Sequence, residues 1–308
     1  MRFDHEPDKL IRQDQPIARL PSGTLIEIPV FSYSAKNEGP TLLLMGGMHG
    51  DEINGVEIMR RIISQKLYEV QAGTVICIPV FNVFGFITFS REVPDGKDVN
   101  RSFPGSKNGS LASQFADFMV KEILPSIDYG IDFHTGGKQI NNFPQIRTVI
   151  DDPANRKLAL AFNAPFTINS PYREKSLRKE AAKMGKSILV YEAGESLRLR
   201  KSAIDLGIDG TLRLMKMLGM CEEAPERANQ SIIIKKSSWA RARISGVHYA
   251  QAFNGSFATK KDLLGVISDP YGTYEKKILA TEDCYLLAIN TNPVVNRGDA
   301  LFHCGIRE

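Results

Sequence analysis

The stretch LLLMGGMHGDEINGVEIMRRI, residues 42–62, passes directly from an apolar strand into an amphipathic helix. A strand that is apolar at every position is buried on both faces, and a helix that follows it at once packs back onto the sheet it belongs to. The pattern recurs. TLIEIPVFSYS (24–34), TLLLMGG (41–47), TVICIPVFN (74–82), YGIDFH (129–134) and SILVYEAG (187–194) read as strands. Helical spacing appears in NGVEIMRRIISQKL and in LASQFADFMVKEIL (111–124), which stops at Pro125, and a further helix is expected to start at Ser170-Pro171. The order implies an α/β fold with a mixed, mostly parallel sheet flanked by helices on both faces.

After about residue 228 the pattern changes to short strands punctuated by Gly, Asn and Pro, with no long helix. A chain of 308 residues, 43% of them hydrophobic, is long enough for two cores. We therefore expect a catalytic domain at 1–228 and a small C-terminal all-β domain at 229–308 that narrows the entrance to the site. The net charge of +4 is a small excess of 39 basic over 35 acidic side chains, so neither nucleic acid nor a membrane is expected as a partner. The stretch MRFDHEPDKLIRQDQP lacks the apolar core of a signal peptide, and Cys77, Cys221, Cys284 and Cys304 show no CxxC spacing. Reduced thiols in a cytoplasmic protein are the expectation, with the oligomeric state, homo-oligomer or monomer, left open. Residues 171–201 carry nine Lys/Arg against four Glu, which suits a solvated helix face or attraction of an anionic substrate.

Five histidines can be weighed one by one. His5 lies in the N-terminal tail, and His248 and His303 sit in the β region without carboxylates at ligand spacing. His49 and Glu52, three residues apart in a tight turn after a strand, can reach one ion. His134 ends a second strand in DFHTGG, where Asp132, on the same strand face, can accept a hydrogen bond from its imidazole. Strand ends in one open sheet converge, and His, Glu and His with a water make an open, catalytic zinc site. DVNRSFPG (98–105) sets Asn100 and Arg101 beside a Pro-Gly turn, and a guanidinium fork suits a carboxylate. Glu192 ends the otherwise apolar strand in LVYEAGE, where a carboxylate costs energy unless it is paired or used, for instance as a general base.

The ordered set GGMHGDE, DVNRSFPG, DFHTGG and VYEAGE, over about residues 40–215, resembles the succinylglutamate desuccinylase/aspartoacylase family, relatives of zinc carboxypeptidase A. The resemblance implies a zinc carboxypeptidase-like catalytic domain. It also implies one Zn2+ ion on His49, Glu52 and His134, with Glu192 as the catalytic general base for a zinc-bound water. Asn100 and Arg101 match the pair that grips a substrate carboxylate, and Arg91 resembles the arginine that polarises the scissile carbonyl. The C-terminal β region resembles the one appended in the deacylase-like branch, with NPVVNRGDALFHC similar to lipoyl-type β folds. The implied partner is a small N-acyl amino acid, whose amide bond is hydrolysed. A metallocarboxypeptidase or peptide-fragment amidase with the same zinc chemistry is the alternative, since only pocket shape separates the two. A binding protein without turnover is a third reading, against which Glu192 argues.

Overall fold

A computed structural model describes residues 6–19 and 22–307, so His5 lies outside the described residues. Strands β1 (Leu10–Arg19), β2 (Leu25–Ser34) and β3 (Asn37–Gly46) lead into helix α1 (Ile53–Ser64) and strand β4 (Ala72–Ile78). Helices α2 (Val83–Thr88) and α3 (Leu111–Phe118) precede β5 (Tyr129–Gly136), β6 (Ile140–Thr148), α4 (Pro153–Phe162) and β7 (Phe166–Asn169). Helix α5 (Leu177–Lys183), β8 (Ser187–Glu195) and α6 (Lys201–Met217) follow. The C-terminal strands are β9 (Ile232–Arg241), β10 (Gly246–Ala250), β11 (Phe257–Ala258) and β12 (Leu263–Ser268). Then come β13 (Glu275–Leu279), β14 (Cys284–Asn290), β15 (Val294–Val295) and β16 (Ala300–Arg307). No helix among the described residues is long and apolar enough to cross a membrane.

Twelve strands form one sheet in the order β1-β2-β4-β3-β5-β8-β6-β7-β9-β16-β14-β11. Its centre, β4-β3-β5-β8, is parallel, as are β6-β7 and β7-β9. The flanks are antiparallel: β1-β2, β2-β4, β8-β6, β9-β16, β16-β14 and β14-β11. The sheet is mixed, as expected, but not mostly parallel: six of its eleven neighbouring pairs are antiparallel. Parallel neighbours need a long crossover, as α1 supplies between β3 and β4, while the short β1-β2 connection gives an antiparallel pair.

The strand periodicity divides the core. Leu42 and Leu44 of β3 pack with Ile58, Met59, Phe162 and Ile208 on one face, while Leu43 and Met45 pack with Phe84, Phe115 and Leu177 on the other. Two-sided burial explains the unbroken apolar run in β3. Two helix boundaries differ from expectation. The 111–124 helix is α-helical only to Phe118, after which the chain widens to a π turn over Met119–Ile123 and tightens to a 3-10 turn that takes up Pro125. Helix α5 begins at Leu177, not at Ser170-Pro171, because the Ser176 hydroxyl caps it by accepting from Lys179 N–H.

The strands that follow residue 228 belong partly to a core of their own and partly to the central sheet. Leu264, Ile267, Leu286, Leu301 and Phe302 do form a cluster of their own. Yet β9 pairs with β7 and β14 with β6, and Ile234 and Leu287 pack on Phe166 and Ile168, so the central sheet continues through the C-terminal region. A second sheet, β13-β12-β10-β15, lies outside it.

Candidate active site

Neighbouring parallel strands β3, β5 and β8 release their carboxyl ends on one edge of the sheet, the place where open α/β sheets gather binding groups. His49 follows β3, His134 lies near the end of β5, and Glu192 is the cross-strand partner of His134 on β8. The glycines around His49 permit the close fit. A Cβ at Gly50 would stand 1.8 Å from the Gly85 backbone carbon, so any side chain there would force the His49 turn away from α2.

His49, Glu52 and His134 are buried, and their donor atoms lie within 4.8 Å of one another. Each imidazole turns Nδ1 toward the Glu52 carboxylate: His49 Nδ1 is 2.9 Å from Oε1 and His134 Nδ1 is 2.8 Å from Oε2. Each Nε2 is held from behind, at 3.2 Å by Asp98 Oδ1 for His49 and at 2.7 Å by Asp132 Oδ2 for His134. The Thr135 backbone N–H donates to Glu52 Oε2 at 3.0 Å. Burial alone would raise the Glu52 carboxyl, but the two facing imidazoles hold it well below its ordinary range. Burial opposes charge on His134 too, and Asp132 and Glu52 override it, holding that imidazole well above its usual value.

Such a set fits a divalent metal. The donors are the nitrogen and oxygen types that zinc takes, and the outer carboxylates fix the ring orientation as metal-site carboxylates do. A cation already faces them: Arg91 Nη1 lies 3.1 Å from both His49 Nδ1 and Glu52 Oε1. Among the described residues this is the only group of three or more such side chains placed to share an ion. His248 instead packs against Phe302, and His303 stacks on Trp239.

The triad opens into a cavity of about 250 Å³ whose wall includes Arg91, Asn100, Arg101, Arg147, Glu192 and Trp239. His49, Glu52, Arg91, Asn100, Arg101, His134 and Glu192 all line this one cavity. Asn142 donates its side-chain N–H to Glu192 Oε2 at 2.5 Å, and Arg147 Nη1 stands 3.6 Å from Oε1. Asn100 Oδ1 accepts from the Leu177 N–H at 2.9 Å, tying its loop to α5. Arg91 spends Nε and Nη2 on Asp98 at 3.0 and 2.8 Å. Arg101 has no carboxylate within ion-pairing distance among the described residues. Sequence reasoning missed Asp98, Asn142, Arg147 and Trp239. Asp98 had a local signal, an acid two residues before Asn100 in the same turn, whereas the other three arrive on β6 and β9 by strand pairing.

The family model for the succinylglutamate desuccinylase/aspartoacylase catalytic domain matches residues 38–218. The N-alpha-acetyl-L-2,4-diaminobutyric acid deacetylase of Halomonas elongata is 36% identical over 149 residues, which cover 46% of this chain and 43% of that protein. The match thus spans less than half of the relative's length. Among solved structures, a succinylglutamate desuccinylase/aspartoacylase from Rhodobacter sphaeroides aligns at TM-score 0.87 and 27% identity, covering 100% of this chain and 99% of its own. The product-bound ectoine utilization protein EutE from Ruegeria pomeroyi aligns at TM-score 0.87 and 22% identity, covering 99% and 97%. Because the matched segment holds the buried triad, both outer aspartates and Glu192, the chain belongs to the succinylglutamate desuccinylase/aspartoacylase family.

Proposed function

We propose that this protein is a zinc-dependent hydrolase that cleaves the amide bond of a small N-acyl amino acid. The observation that carries the reading is the buried His49-Glu52-His134 triad, its donor atoms within 4.8 Å, with Glu192 on the adjoining strand of the same cavity. A deacetylase among the relatives supports the substrate class. Bound at the triad, zinc supplies Lewis acidity, which acidifies water and polarises a carbonyl.

The remaining work falls to the chain. Glu192 takes a proton from the attacking water and returns it to the leaving amine. Asn142 holds Oε2, and Oε1, which faces only the more distant Arg147 guanidinium at 3.6 Å, is the oxygen available for that transfer. Arg91, its guanidinium anchored on Asp98, offers Nη1 to the carbonyl oxygen as charge develops there; such a donor is commonly worth about 3 kcal/mol. Arg101, with the amide of Asn100, orients the substrate's free carboxylate. The products are a carboxylic acid and an amino acid.

The test is hydrolysis of a panel of N-acyl amino acids by purified protein, before and after chelation and again with zinc restored. Release of free amine that chelation abolishes and zinc restores is the expected result. Absence of amide hydrolysis across the panel with zinc bound would overturn the reading.

A further inference from the structure

We propose that Trp239 sets the length of amide that the site accepts, by walling the catalytic cavity off from a chamber and a basic groove that adjoin it. The inference rests on the amide-hydrolase reading above and narrows its substrate class to short chains.

Trp239 is the chain's one tryptophan and sits on β9, beyond the part of the chain that carries the triad. The β9-β16 register places it directly opposite His303. The two rings are stacked, with centroids 4.7 Å apart and planes 11° from parallel. His303 is itself fixed, its Nε2 lying 2.9 Å from the hydroxyl of Ser237, two residues along β9 on the same face. Burial, aided by the charge of Arg147, pushes the His303 imidazole down to about 3, so the ring behind the indole is neutral at neutral pH. The indole therefore has a rigid backing.

Three spaces meet at this side chain. One is the catalytic cavity of about 250 Å³. The second, about 280 Å³, lies between Tyr172 and His303 and shares Arg147, Ser170, Arg173 and Trp239 with the first. The third is a groove of about 790 Å³ on the C-terminal strands, with Arg243, Lys260, Lys276 and Lys277 over a floor that includes Ala242 and Ile267. Among the described residues Trp239 is the one side chain common to all three. The catalytic cavity alone is below the roughly 300 Å³ at which pockets for drug-sized ligands begin, so it suits a small amide and no long chain. Replacing the indole by a methyl group opens it to a space several times larger. The continuation is cationic, so a chain ending in a carboxylate gains more from the opening than one ending in a methyl group.

The experiment uses metal-replete protein and two ladders of substrates. One lengthens the acyl half on a fixed amino acid from acetyl to octanoyl, with a carboxylate-ended acyl chain of the same length; the other lengthens the amine half from one amino acid to a short peptide. In the wild type, kcat/KM should fall at least about tenfold along one ladder, since steric misfit of even small groups reaches that size. Trp239→Ala should flatten that ladder to within about threefold and favour the carboxylate-ended chain, a preference that high salt reduces. Trp239→Phe, which keeps a ring, should retain the wild-type limit. The ladder that flattens identifies the half of the substrate that faces the indole. Length profiles unchanged by Trp239→Ala on both ladders would overturn the proposal.

Fluorescence supplies a readout free of turnover, because all tryptophan emission comes from this one wall. Short N-acyl amino acids should change that emission saturably in wild-type protein, and binding detected by calorimetry with unchanged emission would count against the proposal. If the alanine variant does not fold, Trp239→Leu carries the same comparison. If the wild type cleaves no amide, the hydrolase reading fails, and the emission still reports whether Trp239 faces the bound acid.

Discussion

Arg101→Ala isolates the contact that should select substrates with a free carboxylate. Arg101 ends the short turn Val99–Arg101, lines the cavity, and has no carboxylate partner among the described residues. Desolvation lowers its pKa, and the nearby Arg173 and Arg91 push the same way against a partial offset from Asp98. An unpaired cation repelled by its neighbours gains most from an arriving anion. A bidentate guanidinium-carboxylate contact is worth about 2 to 4 kcal/mol of transition-state binding, a loss of roughly 30- to 1000-fold in kcat/KM. Because Arg101 is exposed and stays partly solvated, the lower end is expected, about 30- to 100-fold. Metal content should be unchanged, since Arg101 touches no residue of the triad. Arg101→Lys should recover part of the loss, as an ammonium keeps charge without the fork. The assay compares an N-acyl amino acid with the same molecule whose carboxylate is masked as an amide. Wild type should prefer the free acid and the alanine variant should lose most of that preference; an equal preference in both proteins refutes the role.

Two further expectations follow from the geometry. Asp132→Asn and Asp98→Asn leave the three donors in place but loosen ring orientation, so metal affinity by competition with a chelator should weaken about 10- to 100-fold. Tight binding equal to wild type in both variants would mean that these carboxylates do not orient the rings. The folded protein should also lose stability as pH falls from about 6.5 toward 3 through His303, whose folded pKa lies below its unfolded one. In that window the unfolded chain binds the extra proton, so stability is present above it and lost on acidification. His303→Leu, which cannot take a proton, should show a smaller drop in melting temperature between pH 7 and pH 5, and an undiminished drop would contradict the assignment.

Much of the inner sheet was legible because burial on both faces writes an unbroken apolar run, as in β3 and β4. Part of the site was legible for a related reason: a polar residue at the end of a largely apolar strand, His134 or Glu192, has few uses except a site. What stayed hidden depended on partners distant in the chain. Strand β1, LIRQDQPIAR, carries four polar residues in a row, and nothing in its composition announces that it will pair with β2. The C-terminal strands read as a separate unit because their short, glycine-punctuated pattern is local, while the β7-β9 and β6-β14 hydrogen bonds that join them to the sheet are not. Arg147 reaches the cavity through the β6-β8 pairing and Trp239 through the attachment of β9 to β7, and so their place in it had no signature in their own neighbourhoods.

The most direct test of the account is anomalous diffraction at the zinc edge from crystals of the zinc-reconstituted protein. The account predicts one strong peak per chain, ligated by His49 Nδ1, His134 Nδ1 and a Glu52 oxygen at roughly 2.0 to 2.2 Å, and its loss in Glu52→Ala. A fully occupied zinc bound elsewhere, or none at these three residues in active protein, would contradict it.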